Sequence, residues 1–167
     1  MDSLTETPEG SPTGDPQAVL TALAERIAAD VPPERREAVQ AFAKAFVRRL
    51  SDEDLLATGP DGLFGVVSSA FAFADGKGTQ ASAVRVFNPS LERDGYTGAG
   101  SVIETNTDDS PFLVDSVNEE LLARNLTVTR LLHRTEAGAL RRNALPLSVR
   151  VTDGEVPSGL TANSRRV

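Results

Sequence analysis

The sequence predicts an α+β fold in which a helical N-terminal region precedes a short β-α-β sheet unit. Three observations support this prediction. Apolar residues recur at helical spacing through residues 15–75, strand, helix and strand signals follow one another between Gly100 and His133, and the remaining sequence contains two further candidate strands. The chain divides accordingly into a disordered lead-in (1–14), a helical region (15–75), a β-α-β unit (82–133) and an atypical tail (134–167).

Size, charge and composition exclude several classes of protein. The 167 residues, 40% of them hydrophobic, suffice for one modest domain with a core and are too few for a multidomain enzyme. The net charge of -7 disfavours a nucleic-acid partner, which needs clustered Lys and Arg. Cysteine is absent, which excludes disulfides and thiolate metal sites. The acidic N-terminus, and the lack of any apolar run near the ~18 residues of a membrane span, predict no membrane partner and a cytoplasmic location.

The helical region should contain four helices. Asp15-Pro16 is a start signal for the first helix, and Pro32-Pro33 separates it from the second. The helices are expected to end near Asp30, near Leu50, near Thr58 and at Asp75-Gly76, with a turn over 59–62 before the last one. Since apolar stripes of this kind usually form a core, we expect the helices to pack on one another or on the sheet.

Two predicted strands are joined by a glycine-rich connection. Ala83–Phe87 and Val102–Thr107 are rich in β-branched residues and are bounded by turn residues. The glycines of the connection, residues 90–100, come before a strand, whereas a dinucleotide-binding motif must open a helix. We therefore expect the connection to join two strands of the sheet.

The residues after Thr107 predict a helix and a returning strand. Asp108, Asp109 and Ser110 are N-cap residues, and Pro111 suits the first helical position. The apolar stripe of this helix, which we place at 110–124, consists of Leu113, Val114, Val117, Leu121 and Leu122. Asn125 is typical of a helix C-cap, after which residues 126–132 alternate as a strand. A crossover of this size predicts parallel strands, a right-handed connection and a helix covering one sheet face.

A candidate ligand site lies where the first of these strands ends and the helix begins. Free N–H groups and the positive end of the helix dipole favour an anion there, such as a carboxylate. The candidate effector-binding residues are Asn106, Asp108, Asp109, Ser110, Phe112 and Leu113. The competing interpretation is that the two aspartates only cap the helix and would themselves repel an anion.

No catalytic constellation is recognisable in the sequence. His133 is the single histidine and has no spacing signal around it, so no nucleophilic triad is predicted. Asp108 and Asp109 could gather with Asp115 and Glu119 around Mg²⁺ or Ca²⁺, but the last two lie along a helix flank and are typical of solvated residues. We predict no catalytic, metal-binding or cofactor-binding residues in this chain, and keep a hydrolase that uses the aspartates as an alternative.

One motif resembles the ACT regulatory domain. Asp109-Ser-Pro-Phe-Leu113 is followed by a predicted helix and then by Asn125-Leu-Thr-Val128, which is the order of the corresponding ACT elements. The ACT pattern has Gly at the place of Phe112, where the Gly leaves room for a bound amino acid. The resemblance implies an ACT-like, ferredoxin-like sheet and an amino acid as the candidate effector.

A closer resemblance is to the N-terminal, ACT-like region of the large bacterial NAD-specific glutamate dehydrogenases. The run Asp108–Val117, DDSPFLVDSV, together with Val84–Pro89, carries this resemblance, which extends from about Phe42 to His133. It implies a regulatory or assembly role. It also implies that the parent enzyme oxidatively deaminates L-glutamate to 2-oxoglutarate and ammonium with NAD, and that the NAD-binding and glutamate-binding residues lie outside this chain.

The tail from Arg134 to Val167 differs in character from the sequence before it. It holds six Arg against three acidic residues, and Leu145–Val151 is a candidate strand, but no second amphipathic helix follows. We interpret the likeness as ending at Arg134, which leaves the ACT-like unit partial. The tail is then either foreign sequence in a truncated or frame-shifted fragment or a divergent, flexible C-terminus.

A sheet that lacks its second half is expected to associate with other chains. An unpaired strand edge favours association, so the expected partners are a second copy of the chain or the rest of the parent enzyme. A freestanding amino-acid-binding regulatory module is the alternative function, and the sequence does not identify its effector.

Overall fold

A computed structural model of the chain describes residues 14–107, 112–132 and 147–152. These residues form helices followed by a four-stranded sheet with further helices between its strands, which confirms the predicted α+β class. In chain order the elements are α1 (Pro16–Asp30), α2 (Pro33–Val47), α3 (Asp52–Gly76), β1 (Ser82–Phe87), α4 (Leu91–Asp94), β2 (Ser101–Thr107), α5 (Leu113–Ala123), β3 (Thr127–Leu132) and β4 (Leu147–Thr152).

Local sequence signals place the first two helices. The side chain of Asp15 accepts a hydrogen bond from the backbone N–H of Gln17 at 2.9 Å, and Pro16 follows as the first helical residue, so the predicted start of α1 is confirmed. The helix ends at Asp30, before the two prolines. Helix α2 begins at Pro33 and ends at Val47, three residues before the predicted end at Leu50.

The predicted third and fourth helices are two halves of α3. The separating turn over 59–62 is wrong in extent, because only Gly59, with φ 68° and ψ 170°, leaves the helical conformation. Glycine adopts a positive φ without steric cost, and Pro60 suits the first turn of the second half because it has no N–H to leave unpaired. Gly59 and Pro60 therefore produce a kink within one helix, whereas the sequence predicted two separate helices.

The three long helices share an apolar core. Phe42 of α2 packs edge-on against Phe71 of α3, with ring centroids 5.4 Å apart, which confirms that the apolar stripes form a core. The buried members are Leu23, Ile27, Val39, Phe42, Ala43, Phe46, Leu55, Leu63, Val67, Ala70, Phe71 and Ala74. Leu132 of β3 packs against this core, so the helices also contact the sheet.

Helix α3 is more apolar than the sequence reading allowed. An 18-residue window of it has a mean hydropathy of 1.2, which is long and apolar enough for a membrane span by composition alone. The expectation that no such run exists is therefore wrong for α3. Core helices of soluble proteins meet the same criterion, and Leu63, Val67 and Ala70 of α3 are buried in the helical core.

The four strands lie in the order β1-β2-β4-β3, with every neighbouring pair antiparallel. Strands β2 and β3 are each antiparallel to β4 and so run parallel to one another, as predicted, but they are not adjacent. The candidate strand in the tail is confirmed as Leu147–Thr152, and it occupies a central position. The region interpreted as atypical thus supplies the strand that joins the two halves of the sheet.

The two faces of the sheet differ in chemistry. The outer face carries Ile103, Leu147, Val149 and Val151, which pack against Leu121 and neighbouring apolar residues of α5. Because opposed residues of antiparallel strands point to the same side, the strand register places a second set of residues together on the opposite face. We call this the inner face; its polar members are Arg85, Glu104, Asn106, Arg130, Ser148 and Arg150, and it faces α3.

Helix α5 begins later than the predicted 110–124 and ends one residue earlier, at Ala123. Its N-cap is Phe112 and its first residue is Leu113, so the predicted start at residue 110 is wrong. The predicted caps Asp108, Asp109 and Ser110, and Pro111 after them, lie outside the described residues. Leu122 was placed in the apolar stripe but is 57% exposed. The C-cap is Arg124, one residue before the predicted Asn125. Asn125 adopts φ 58°, and the N–H groups of Asn125 and Leu126 donate to the carbonyls of Leu122 and Leu121, so Asn125 takes part in ending the helix.

The connection between β1 and β2 contains a short helix that the sequence reading missed. Helix α4 ends at Gly95, whose φ of 73° lies in the left-handed region. A Cβ atom at Gly65 of α3 would overlap the carbonyl oxygen of Gly95, so the connection packs directly on the α3 backbone. The connection therefore joins two antiparallel sheet strands, as expected, and also contacts the helical layer.

Candidate functional site

The described members of the predicted effector site have different surroundings. Asn106 is buried, and its Nδ2 donates a hydrogen bond to the carbonyl oxygen of Ala74 at 3.1 Å, which ties the end of β2 to the end of α3. Leu113 packs with the apolar residues of the outer face, whereas Phe112 is 76% exposed. Asp108, Asp109 and Ser110 lie outside the described residues, so an anion site at the start of α5 stays a prediction.

The other residues considered for chemistry are not gathered by the part of the fold that is described. Asp115 and Glu119 are exposed on α5. Within residues 14–107, 112–132 and 147–152, no group of three or more His, Cys, Asp or Glu side chains is placed to hold a metal ion. His133 falls outside these ranges, as do the two aspartates before α5.

The structure instead assembles a polar cluster around Arg85 of β1. Its Nε donates to Oε2 of Glu104 at 2.5 Å, and its Nη2 donates to both the carbonyl oxygen and the hydroxyl of Ser69 at 3.0 Å. The guanidinium carbon lies 4.8 Å from the ring centroid of Phe73 and 4.4 Å from that of Phe87. Arg85 therefore joins β1, β2 and α3 through one side chain.

Glu104 is the anionic partner in this cluster. It is 3% exposed, and burial raises its pKa, while the charge and hydrogen bonds of Arg85 act in the opposite direction. A carboxylate this deeply buried must be paired to stay charged. Removing one partner of a buried ion pair typically destabilises a fold by about 3–5 kcal/mol. The Arg85–Glu104 pair is therefore a structural contact between β1 and β2, and the bonds of Arg85 to Ser69 connect it to α3.

A cleft of about 530 Å³ opens beside this pair. Its lining residues are Ser68, Ser69, Ala72, Arg85, Phe87, Arg93 and Asp94. Burial alone would raise the pKa of Asp94, but hydrogen bonds from Arg93 and from the backbone N–H of Ser90 lower it below the ordinary value. Both lining arginines already donate to protein acceptors, Arg93 to Asp94 and to the carbonyl oxygen of Asn88. The cleft is therefore lined by side chains that satisfy one another.

A second group of charged side chains lies at the other end of the inner face. Arg130 of β3 and Arg150 of β4 are register partners, and Nη2 of Arg130 forms an ion pair with Oδ1 of Asp54 on α3. Tyr96 is 5% exposed, and burial, with a smaller contribution from the charge of Glu104, raises its pKa to about 12. Burial likewise lowers the pKa of Arg150. Two cations and one carboxylate thus meet between the sheet and α3.

Sequence reasoning missed both inner-face groups. The available signal was a charged residue inside each of two predicted strands, Arg85 between two valines and Glu104 after Ile103. A charged residue at an alternate position of a sheet strand is either solvated or paired. Only the register, which sets Arg85 opposite Glu104, decides between these two outcomes.

Comparisons with known proteins agree with the fold. A family model described as "Glutamate dehydrogenase, ACT1 domain" matches residues 42–155. An NAD-specific glutamate dehydrogenase of Halomonas elongata is 34% identical over 110 residues, 66% of this chain and 7% of the relative. An NAD-specific glutamate dehydrogenase of Pseudomonas aeruginosa is 32% identical over 124 residues, 74% of this chain and 7% of the relative. No solved structure matches the chain.

The extent of the family match corrects one interpretation. The match continues to residue 155, through β4, so the view that the likeness ends at Arg134 is wrong. The chain spans about 7% of the length of each of these curated relatives. Because the match covers more than half of the chain, including all four strands of the sheet, the chain belongs to the ACT1-domain family of glutamate dehydrogenases.

Proposed function

We propose that this chain is the regulatory or assembly portion of an NAD-specific glutamate dehydrogenase. The observation that carries the proposal is the match of residues 42–155 to the ACT1 domain of glutamate dehydrogenases. The relatives are named for NAD and glutamate, so the parent reaction would convert L-glutamate, NAD and water to 2-oxoglutarate, ammonium and NADH. On the same grounds we place the protein in the cytoplasm.

The inner face supports a role without catalysis. Its central ion pair joins Arg85 to Glu104, and the neighbouring cleft pairs Arg93 with Asp94. A general acid or base needs a titratable group that can exchange a proton with a bound substrate. These carboxylates are already occupied by arginines, so we assign NAD and glutamate binding to the rest of the parent enzyme.

The direct experiment mixes the purified 167-residue chain with L-glutamate and NAD and follows NADH formation, with intact parent enzyme as the positive control. We expect no NADH above the rate of a heat-unfolded sample of the same chain. Steady NADH formation that scales with the concentration of the chain would contradict the proposal.

The proposed role in assembly can be tested at the edge of the sheet. Strand β1 is an edge strand of the described sheet, and Val84 on it is 62% exposed. Exposed edges of this kind pair with other chains unless a charge interrupts them. We expect Val84→Lys to shift the chain to a smaller species in sedimentation, whereas Glu92→Lys, on exposed α4, should leave the species unchanged. Identical sedimentation of wild type and Val84→Lys would show that the chain does not assemble through β1.

A second candidate is a freestanding module that binds an amino acid at the start of α5. The observation that favours it is the position of Phe112, whose φ of 63° is one that Gly adopts freely and whose ring is 76% exposed. The ring therefore does not fill a pocket within the described residues. A ligand that binds only the folded state raises the melting temperature, and the rise continues with the logarithm of the ligand concentration above the dissociation constant.

The corresponding experiment measures the melting temperature of wild type and Phe112→Gly with each of the common amino acids. The module predicts a concentration-dependent rise with at least one amino acid, and a rise of different size at the same concentration in Phe112→Gly. A response to none of the amino acids in either protein would exclude this candidate and leave the assembly role unaffected.

A further inference from the structure

The cleft between α3, β1 and α4 has the volume of a small-molecule site. Its volume of about 530 Å³ falls within the range of about 300–1,000 Å³ that is usual for ligand pockets. Its walls include Ser68 and Ala72 of α3, Arg85 and Phe87 of β1, and Arg93 of α4. Side chains from three separate elements therefore surround a space that is large enough for a small organic molecule.

Arg85 has one edge of its guanidinium that no protein group occupies. A guanidinium is planar and carries five N–H donors in its plane. The donors on Nε and Nη2 bond to Glu104 and Ser69, and the rings of Phe73 and Phe87 lie against the group. Among the described residues, none accepts a hydrogen bond from Nη1, and this nitrogen is not sealed from solvent. The N–H groups of Nη1 are therefore free to bond a ligand.

Arg93 shows the same arrangement on α4. Its Nε and Nη2 donate to the carboxylate of Asp94, and Nη2 also donates to the carbonyl oxygen of Asn88 at 2.6 Å. Within the described ranges its Nη1 has no acceptor. Two guanidinium groups thus line one cleft, and each has Nη1 unoccupied by the described part of the protein.

The accessible charge in the cleft is positive, although both arginines are paired. In the first ion pair, the side chain of Glu104 is 4% exposed and that of Arg85 is 28% exposed. In the second, the side chain of Asp94, which also lines the cleft, is 6% exposed and that of Arg93 is 62% exposed. Because the nearer charge acts more strongly, an entering ligand meets the guanidinium groups before the carboxylates. The cleft therefore favours an anion over a cation.

The other lining residues favour an anion that has an apolar part. Phe87 presents an aromatic ring, and Ala72 is an exposed apolar residue of α3. The hydroxyl of Ser68 forms no hydrogen bond to another described residue, so it is a further available donor. Carboxylate oxygens accept strong hydrogen bonds from guanidinium groups, and aromatic rings pack favourably on one another. A molecule with a carboxylate at one end and a ring at the other matches both kinds of lining.

We propose that this cleft binds a small monocarboxylate with an aromatic body, held by Nη1 of Arg85 and Nη1 of Arg93. The carboxylate accepts hydrogen bonds from these two nitrogens, and the ring lies against Phe87 and Ala72. This inference rests on the cleft alone. It does not depend on the proposed role in glutamate dehydrogenase, and the cleft does not include the start of α5.

The experiment titrates the full 167-residue chain, labelled with nitrogen-15, with sodium benzoate at an ionic strength held constant with sodium chloride. The backbone amide signals of Ala72, Phe87 and Arg93 should shift in NMR spectra and reach saturation. Benzamide, which has a similar shape and no charge, should bind at least about tenfold more weakly, because hydrogen bonds between charged groups are the stronger ones.

Two pairs of variants locate the binding. Ala72→Glu adds a carboxylate to the wall of the cleft and should abolish the shifts at Phe87 and Arg93. Its matched control is Ala57→Glu, the same change at another exposed position of α3 that does not line the cleft, which should bind benzoate as wild type does. Arg93→Gln should weaken binding by roughly tenfold, whereas Arg124→Gln on the exposed surface of α5 should not change it.

Three outcomes would overturn the proposal. Cleft signals that do not move with benzoate would show that the cleft binds no such anion. Equal affinities for benzoate and benzamide would show that the arginines do not recognise the carboxylate. Shifts of the same size in Ala72→Glu and in wild type would show that benzoate binds outside the cleft.

Discussion

Two arginines on one sheet face illustrate how differently the fold treats the same side chain. Arg85 of β1 is enclosed by Glu104, Ser69 and two phenylalanine rings. Arg150 of β4 lies opposite another arginine, and the carboxylate whose charge acts on it, Asp54, forms its ion pair with Arg130. The first arrangement closes the contact between the sheet and α3, and the second leaves a positive charge there. The difference separates a compact stabilising contact from a group of side chains with two cations and one carboxylate on the same face.

The position of the two strands explains this difference. Strand β1 lies at the sheet edge under the second half of α3, where Ser69 offers its carbonyl oxygen and its hydroxyl to Arg85. Strand β4 lies inside the sheet near the start of α3, where Asp54 is already paired with Arg130. The second half of α3 thus supplies hydrogen-bond acceptors for Arg85, whereas the start of α3 supplies one carboxylate for two arginines.

The largest expected effect comes from Arg85→Met. This change leaves Glu104 buried at 3% exposure without its cation, and removing one partner of a buried ion pair typically lowers the free energy of unfolding by about 3–5 kcal/mol. Urea unfolding followed by circular dichroism measures the loss. Arg124→Met, which breaks the exposed pair with Glu120, should change the free energy of unfolding by no more than about 0.5 kcal/mol. Equal losses in the free energy of unfolding of the two variants would show that Arg85 does not stabilise the fold in this way.

A second change tests the contact that brings Tyr96 and Gly98 onto the inner face. Gly65→Ala places a Cβ against the carbonyl oxygen of Gly95, which is backbone and cannot rotate away, so we expect a loss of about 1–3 kcal/mol in the free energy of unfolding. Gly76→Ala is the matched control, because nothing lies within 4 Å of a Cβ at this helical position. Unfolding in urea of both variants gives the comparison, and an unchanged stability of Gly65→Ala would contradict the close packing of the connection on α3.

The smallest of these effects concerns pH. Burial raises the pKa of Glu104 above its value in the unfolded chain, so the folded state holds a proton more tightly there. This contribution to stability is complete below the ordinary glutamic acid pKa of 4.5 and disappears as the pH rises through the raised pKa. Glu104→Gln should flatten the fall in stability over this window, and Glu120→Gln on the exposed surface should retain it. If the free energy of unfolding falls with pH equally in wild type, Glu104→Gln and Glu120→Gln, a group other than Glu104 causes the fall.

Local signals in the sequence were sufficient for much of the fold. Asp15 caps α1, and the prolines at 32 and 33 end one helix and begin the next, because these preferences depend on a residue and its immediate neighbours. Asn125 closes α5 for the same reason. The strands were recognisable from their β-branched residues, including the one in the tail.

The remainder depends on contacts between residues distant in sequence. The central position of β4 follows from pairing with β2 and β3, which no local pattern encodes. Asn106 was predicted to line a ligand site, yet its amide bonds to Ala74 on the opposite side of the sheet from α5. The partners of Arg85 likewise come from α3 and β2, so the inner face could not be derived from the sequence.

The most direct test of the contrast between the two arginines is to measure Arg150→Met beside Arg85→Met in the same urea series. We expect Arg150→Met to unfold at the same or a higher urea concentration than wild type, because the change removes a cation that lies opposite Arg130, whereas Arg85→Met should unfold much earlier. A loss in Arg150→Met as large as that in Arg85→Met would show that Arg150 has a stabilising partner and would contradict the account.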